Sequence, residues 1–205
     1  MDVFDIKKEH KDLYAPRAGE FVLVDVPQLS FLMVDGHGNP NTAPAYRDAV
    51  EALYAVSYAV RFAAKRELGR VHVVGPLEGL WWAENPDVFL TRSKDNWSWT
   101  MMIHQPDWIT PGLVEAARVA VAKKGDLPAL EHLRFERSTE GVSVQTLHVG
   151  SYDDEGPVIQ RMHGFAARQG FALRGKHHEI YLGDPRKVEA ARLRTVLRQP
   201  VDPAP

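Results

Sequence analysis

Two halves of the chain share one pattern of strands and turns, and this repeat constrains the fold more than any single motif. The equivalent positions are Gly75 and Gly175, Leu80-Trp81 and Ile180-Tyr181, and residues 102–106 and 196–200. Self-similarity of this kind predicts two copies of a supersecondary unit that bury their apolar faces against each other. Chance similarity between short apolar strands is the alternative.

Hydrophobic patterning predicts the same order of elements in each half, namely a strand, a helix and then further strands. In the first half, Thr42 is a candidate helix N-cap, Pro44 suits the first turn and Gly69 ends the helix. The predicted elements of this half are a strand over 31–34, the helix, and strands over 71–74, 80–82 and 97–104. Those of the second half are a strand over 144–149, a helix over 154–169, and strands over 171–174, 179–182 and 194–200.

These elements predict an α+β fold built from tandem duplicated strand-helix-strand-strand modules. Module one covers residues 20–106, a connector covers 107–141 and module two covers 142–200, all within one domain over 1–205. We expect the antiparallel sheets of the two modules to pair about a pseudo-two-fold axis, with the helices on one face. A groove between the modules would face the other side, and ligands usually bind in such grooves.

Composition excludes several classes of function. The 25 basic and 27 acidic residues leave a net charge of −2, so the chain has no electrostatic footprint for direct nucleic acid binding. Without cysteine it has no disulfide, no thiolate metal site and no cysteine nucleophile. No apolar run indicates a membrane span, and we expect a cytoplasmic protein whose last residues, 199–205, form a loose tail.

The nine histidines raise the question of a metal site, which their spacing does not favour. His177, His178 and Glu179 are consecutive in a predicted strand, so their side chains alternate between faces and cannot chelate one ion together. The Gly-His-Gly of residues 36–38 lacks the third glycine of a dinucleotide-binding fingerprint. We therefore predict neither a metal nor a cofactor.

All five tryptophans lie in one short stretch of module one: Trp81, Trp82, Trp97, Trp99 and Trp108. On strands, Trp97 and Trp99 face the same side, whereas the neighbours Trp81 and Trp82 face opposite sides. Rings that leave the core form a candidate wall for a planar ligand, and each well-placed ring adds about 0.5–1.5 kcal/mol beyond area burial. Ordinary core packing is the alternative for roughly half of them.

Glu179 is the candidate functional carboxylate. It lies in the segment His-His-Glu-Ile-Tyr-Leu, where strand alternation places Glu179 and Tyr181 on one face. A carboxylate and a phenol that share a site among aromatic rings suit either a general base or a counter-charge for a cationic ligand. A solvated carboxylate on an exposed strand face is the alternative.

Four segments carry a further signal: residues 78–82 (EGLWW), 97–103 (WSWTMMI), 147–155 (LHVGSYDDE) and 177–185 (HHEIYLGDP). Together they resemble the GyrI-like small-molecule-binding proteins, in the stand-alone branch that includes cyclopropanoid hydrolases. The resemblance extends over residues 20–200. It implies the duplicated fold and a central groove that holds hydrophobic compounds, often planar or cationic.

The resemblance also implies an activity, the hydrolysis of a strained cyclopropane conjugated to a dienone. Glu179 would deprotonate or orient the water, and a phenol such as Tyr181 or Tyr152 would hydrogen-bond the developing charge. The candidate catalytic residues are therefore Glu179 and Tyr181. The candidate ligand-binding residues are Trp81, Trp82, Trp97, Trp99, Met102, His148 and Tyr152.

Two other functions are compatible with the same composition and the same pattern of aromatic and acidic residues. A protein that only binds could sequester hydrophobic cations, with Glu179 as counter-charge and the rings supplying cation–π contacts. Alternatively, an apolar surface outside the groove could dock a partner protein. Analysis of the products formed from a cyclopropane-dienone compound separates an enzyme from a binder. The sequence makes no prediction of the oligomeric state.

Overall fold

The structure is a computed structural model that describes residues 3–84 and 93–205, so residues 85–92 of module one lie outside the described part. Its strands are β1 (Val3–Phe4), β2 (Val22–His37), β3 (Val71–His72), β4 (Leu77–Trp82), β5 (Ser98–Gln105), β6 (Arg134–Val149), β7 (Phe171–Leu173), β8 (His177–Tyr181) and β9 (Arg194–Pro203). The α-helices in the described ranges are α1 (Ile6–Glu9), α2 (Lys11–Tyr14), α3 (Pro44–Leu68), α4 (Pro111–Ala122) and α5 (Glu155–Arg168).

Six antiparallel strands close into a barrel-like ring. Their order is β6-β2-β5-β4-β8-β9, and β6 pairs back with β9. The short strand β7 extends the far end of β9, while β1 and β3 form a separate parallel pair. The α+β class predicted from the sequence is confirmed. The sheets of the two modules are joined at both of their edges, because β2 pairs with β6 and β4 pairs with β8.

The repeat is preserved in the ring. Strands β2, β5 and β4 of module one follow one another in the same order as β6, β9 and β8 of module two. The two modules meet where β4 pairs with β8, and there Gly79 lies opposite Glu179. Each module therefore contributes one central strand to the junction, and residues near that point come from both halves of the sequence.

Register corrects one correspondence that the sequence indicates. In module one Met102 pairs with Glu78, whereas in module two Arg198 pairs with His178. With Gly75 aligned on Gly175, Glu78 corresponds to His178, so the counterpart of Met102 is Arg198 and not Val196. The matching Gln-Pro dipeptides at the ends of these strands are displaced by two residues.

Three local predictions also differ from the structure. The first strand of module two begins inside the predicted connector, at Arg134, and runs continuously to Val149 as β6, which pairs with β2 along most of its length and with β9 in its last part. The C-terminal segment is not a loose tail, since Val201–Pro203 pair with β7. The N-cap of α3 is Ala43, which makes no side-chain capping bond, and not Thr42, whereas Gly69 ends the helix as predicted, with a φ of 64°.

The hydrophobic core has an inner and an outer part. Inside the ring lie apolar side chains from all six strands, with Phe31, Met102 and Ile180 among them, and the N-terminal helices cover this interior. On the outside, α3 packs on β2, β5 and β4 and α4 packs against α3, while α5 packs on β6 and β9. The helices of the two modules leave the outer surface of the β4–β8 junction open between them.

A buried polar network lies on the inner side of this junction. His178 is hydrogen-bonded to Glu78 at 2.9 Å and to Glu140 at 2.9 Å through its two ring nitrogens. Glu78 also accepts a hydrogen bond from the Tyr14 hydroxyl, and Arg198 donates to Glu140 and to a carbonyl oxygen of α2. The network therefore joins the N-terminal helices to both modules.

None of the helices in the described part of the chain has the length and apolar character needed to cross a membrane.

Candidate functional site

A groove with a volume of about 1290 Å³ lies over the β4–β8 junction. Helix α3 forms one side, α5 forms the other, and the loop after β8 closes one end. The sequence indicated a groove on the face opposite the helices, and this expectation is wrong. Closure of the ring fills the inner face with packed side chains, so the open surface is on the outside, between the helices.

Glu179 lies in the groove and is held by a chain of hydrogen bonds. The Tyr181 hydroxyl donates to Glu179 Oε2 at 2.8 Å, and the indole N–H of Trp81 donates to the Tyr181 oxygen at 2.9 Å. The other carboxylate oxygen, Oε1, is 3.6 Å from Nε2 of His177. No cation of a Lys or Arg side chain in the described residues pairs with Glu179. The carboxylate is thus oriented by two aromatic residues, one from each module.

Gly79 makes this chain of bonds possible. A Cβ at this position would lie 2.9 Å from Trp81 Nε1 and 3.2 Å from the Tyr181 hydroxyl oxygen. Because glycine stands opposite Glu179 in the β4–β8 ladder, the two aromatic side chains can meet over its backbone. The contact depends on pairing between residues that are 100 positions apart in the sequence.

Aromatic rings surround the carboxylate. Trp81 stacks with Tyr46 of α3 at 6.3 Å between ring centres and meets Trp97 edge-on at 5.7 Å. Tyr152 meets Tyr181 edge-on at 5.6 Å. All five line the groove. Tyr46 was not among the site residues that the sequence indicated, and its place in the groove depends on how α3 packs across β4.

The phenols of the groove remain protonated. Burial, followed by the charge of Glu179, raises the pKa of Tyr181 well above its ordinary value and also raises that of Tyr46. Burial and the nearby carboxylates raise the pKa of Tyr152 to about 12. Near neutral pH these groups are therefore neutral hydroxyls; the Tyr181 hydroxyl donates its hydrogen to Glu179, whereas Tyr46 and Tyr152 can donate to a ligand.

Trp82 lies at the edge of the groove at the end of β4. Strand alternation turns its side chain away from that of Trp81, as the sequence predicts. The ammonium group of Lys176 lies over the Trp82 ring, 3.2 Å from its centre. The residue is half-buried and contributes to the lining of the groove.

Trp99, Met102 and His148 are candidate ligand-binding residues that the structure places outside the lining of the groove. Trp99 is fully buried, packs directly over Gly36 and donates its indole N–H to the carbonyl of Gly38. Met102 points into the ring, because it alternates with the residues that face the helices. His148 is hydrogen-bonded through Nε2 to the carbonyl of Ser151, which positions the turn before α5.

Glu155 is a groove residue that sequence analysis did not single out. It is the first residue of α5, only 4% of its surface is exposed, and its Oε1 has no hydrogen-bond partner among the described residues. Burial, followed by the charge of Glu179, raises its pKa to about 10. The sequence offered a weak signal, since Glu155 follows two aspartates at a helix start, where a solvated capping carboxylate is the usual interpretation.

Histidines near the groove are not arranged around a metal. Within residues 3–84 and 93–205, no three His, Asp or Glu side chains are grouped to hold an ion. Burial lowers the pKa of His163, which lines the groove, to about 4, so this ring is neutral near pH 7.

Comparison with known proteins gives the groove a context. The family model of the GyrI-like small molecule binding domain matches residues 19–202, almost the entire chain. The chain belongs to the GyrI-like family. This confirms the resemblance seen in the sequence, and the groove of this GyrI-like protein lies in the domain whose family description is small-molecule binding.

Solved structures similar to this GyrI-like protein include three from Listeria innocua. One is an uncharacterized conserved protein that is 38% identical, with a TM-score of 0.90, covering 97% of this chain and 100% of its own. Two are hydrolases that are 36% and 38% identical, with TM-scores of 0.85 and 0.88, covering 97% and 98% of this chain and 100% of their own. No curated protein matches the sequence significantly.

Proposed function

We propose that this protein binds planar, largely apolar molecules in the groove and hydrolyses a strained cyclopropane conjugated to a dienone, which would detoxify such compounds. The observation that carries the proposal is the Glu179 carboxylate, which lies among aromatic rings and is oriented by the Tyr181 hydroxyl. The hydrolases from Listeria innocua support the reaction class.

The reaction adds one water across the strained ring. Glu179 takes a proton from the water as the water oxygen bonds to a CH₂ carbon of the cyclopropane, and the bond between that carbon and the spiro carbon of the dienone breaks. The electron pair of that bond enters the dienone, which becomes a phenolate and takes up a proton to give a phenol. Relief of ring strain and the gain of aromaticity drive this step, so one well-placed base and a fixed orientation of the substrate can suffice.

The groove suits a flat substrate in shape and chemistry. Its volume of about 1290 Å³ exceeds the roughly 300–1,000 Å³ of ordinary ligand pockets, so a compound of several fused rings fits. Trp81 and Trp97 on one side and Tyr152 on the other supply ring surfaces that hold a planar molecule over Glu179.

A second candidate function is the sequestration of hydrophobic cations. It is favoured by the Glu179 carboxylate, which lies beside the aromatic rings and has no Lys or Arg partner among the described residues; Asp153 and Asp184 also line the groove, where they pair with Lys94 and Arg186. A cation among these groups would gain both charge attraction and cation–π contacts. A protein of this kind would return its ligand unchanged.

Product analysis tests the proposed hydrolysis. The protein is incubated with a spirocyclopropyl cyclohexadienone, and mass spectrometry follows the gain of one water relative to the compound in buffer alone. We expect turnover by the parent protein and by Glu131→Gln, a control at an exposed position far from the groove, and none by Glu179→Gln. Glu179→Gln should still bind neutral planar ligands within about tenfold of the parent affinity. If the parent protein returns the substrate unchanged, hydrolysis is excluded and the sequestration of cations remains as the function. If Glu179→Gln turns the substrate over at the parent rate, Glu179 is not the base.

A further inference from the structure

The side chain of Glu155 lies in the groove with an unpaired oxygen. It is nearly inaccessible to solvent, and although the Thr195 hydroxyl lies beside the carboxyl group, Oε1 is left without a hydrogen bond of ordinary geometry among the described residues. Leaving a buried polar atom unpaired costs about 1–3 kcal/mol, so buried polar groups in native proteins nearly always have partners. A carboxyl group that lines a large groove and is incompletely hydrogen-bonded by the protein is placed to bond a ligand.

The surroundings of Glu155 determine its protonation state. The groups that face it from the neighbouring elements are Glu179 and Tyr181 of β8, Thr195 of β9, Tyr152 and Asp153 of the turn before α5, and Lys94 of the turn before β5. Burial and then the negative charge of Glu179 raise the pKa of Glu155 to about 10, while the Thr195 hydroxyl and Lys94 act in the opposite direction. Near pH 7, Glu155 is therefore a carboxylic acid with an O–H donor.

We propose that Glu155 donates a hydrogen bond from its protonated carboxyl group to a carbonyl oxygen of the bound molecule, so that the groove selects planar ketones and dienones over hydrocarbons of the same shape. This inference deepens the proposed function, on which it rests for the role of the bond in hydrolysis. It assigns different tasks to the two carboxyl groups, because Glu179 acts on the water and Glu155 acts on the carbonyl group.

In the hydrolysis, the hydrogen bond from Glu155 places a proton beside the dienone oxygen, which gains negative charge as the ring opens. As the carbon–carbon bond of the cyclopropane breaks, the dienone oxygen gains charge and takes the proton of Glu155, while Glu179 receives the proton of the water. The product is a neutral phenol and a new carbon–oxygen bond. Proton exchange between Glu179 and Glu155, directly or through water, restores the starting state. Two carboxyl groups held in different protonation states are the usual pattern of such acid–base pairs.

Paired ligands of equal shape test the donor without any need for turnover. Fluorenone and fluorene are both flat and differ at one carbon, which bears a carbonyl oxygen only in the ketone. Their affinities are measured by quenching of tryptophan fluorescence at pH 7. We expect the parent protein to bind fluorenone about tenfold more tightly than fluorene, which corresponds to the net contribution of one hydrogen bond to the binding free energy. Because both ligands bury the same rings, the ratio of the two affinities isolates the contribution of the carbonyl group.

Variants at position 155 separate a donor from a merely structural side chain. Glu155→Gln keeps an N–H donor and should retain the preference, whereas Glu155→Leu keeps the volume without a donor and should bind both ligands equally. An unchanged preference in Glu155→Leu, or a parent protein with no preference, would overturn the proposal. If Tyr152→Phe removes the preference and Glu155→Leu does not, the donor is Tyr152 and the proposal fails.

Infrared spectroscopy gives a second measurement that needs only the folded parent protein. A carbonyl group that accepts a hydrogen bond stretches at lower frequency, so bound fluorenone should absorb below its frequency in hexane. A stretch at the hexane frequency would contradict the proposal. These measurements also separate the two ideas, because failure to hydrolyse a cyclopropane leaves the ketone preference intact, whereas hydrolysis at the parent rate by Glu155→Leu would remove Glu155 from the reaction.

Discussion

The Tyr181 hydroxyl donates a hydrogen bond of 2.8 Å to Glu179 Oε2, although the two residues are separated by a single position in β8. Their side chains lie on one face of the strand, so the phenol hydroxyl reaches the carboxylate that it orients. Trp81 of the other module fixes the phenol in turn. The base of the proposed reaction is therefore positioned by residues from both halves of the chain.

Replacing Tyr181 by Phe should slow hydrolysis while leaving substrate binding nearly intact. The variant keeps the ring and loses one hydrogen bond to a charged group, worth about 1.5–3 kcal/mol, so kcat should fall by roughly 10- to 150-fold. KM should stay within about threefold of the parent value. Steady-state kinetics check both values, with Tyr58→Phe on the exposed side of α3 as control. A parent-like kcat would show that the hydroxyl does not position Glu179.

Substituting Gly79 by Ala should disrupt the same chain of hydrogen bonds, because Gly79 lies directly beneath the Trp81–Tyr181 contact. The added methyl group would lie 2.9 Å from Trp81 Nε1, so the indole or the Tyr181 hydroxyl must move. We expect kcat to fall at least tenfold, because the loss of about one hydrogen bond corresponds to a rate factor of that size. The tryptophan emission maximum should also shift. Gly125→Ala is the control, because no atom lies within 4 Å of its added Cβ. Full activity in Gly79→Ala would argue against the Trp81–Tyr181 contact.

Planar hydrophobic compounds should quench the tryptophan fluorescence in a saturable manner, because Trp81 and Trp97 line the groove. Trp82→Ala should weaken the binding of such compounds by roughly 1–3 kcal/mol through lost contact area. Trp108→Phe is the matched control, since Trp108 packs against Phe4 and Arg70 away from the groove. Binding that is equally strong in Trp82→Ala would remove this ring from the ligand site.

Protein stability should decline as the pH rises above neutrality because of His178. Burial alone would lower its pKa, but Glu140 and Glu78 raise it to about 9. The folded state thus holds a proton more tightly than the unfolded state, whose histidine titrates near 6.5. The associated stability is complete below pH 6.5 and is lost as the pH rises through about 9, amounting to roughly 3 kcal/mol.

Urea unfolding between pH 6 and pH 10 measures this loss. The free energy of unfolding of the parent should fall over that range, while that of His178→Gln, which has no titrating ring there, should depend less on pH. An NMR titration of the parent gives an independent check, and a His178 midpoint near 6.5 would contradict the prediction.

Strand and helix patterns were predictable where the signal is local. The period of two in β8 places Glu179 and Tyr181 on one face, and Gly69 ends α3 because it adopts a positive φ that other residues avoid. The family resemblance also came from short segments of sequence. Errors arose where pairing partners decide the outcome: the last residues form part of β9 because β7 lies beside them, and nothing in their own composition indicates a strand.

The sequence by itself determined that the chain is a duplicated α+β protein, because apolar periodicity and turn residues are encoded locally, and four short segments carried its resemblance to the GyrI-like family. Only the tertiary structure decided which face holds the groove, since closure of the ring through β6 and β9 fills the interior. It also decided that Trp81 meets Tyr181 and that Glu155 is buried beside Glu179. These contacts join residues distant in sequence, and their distances and burial depend on how strands and helices of the two modules pack, which no local pattern specifies.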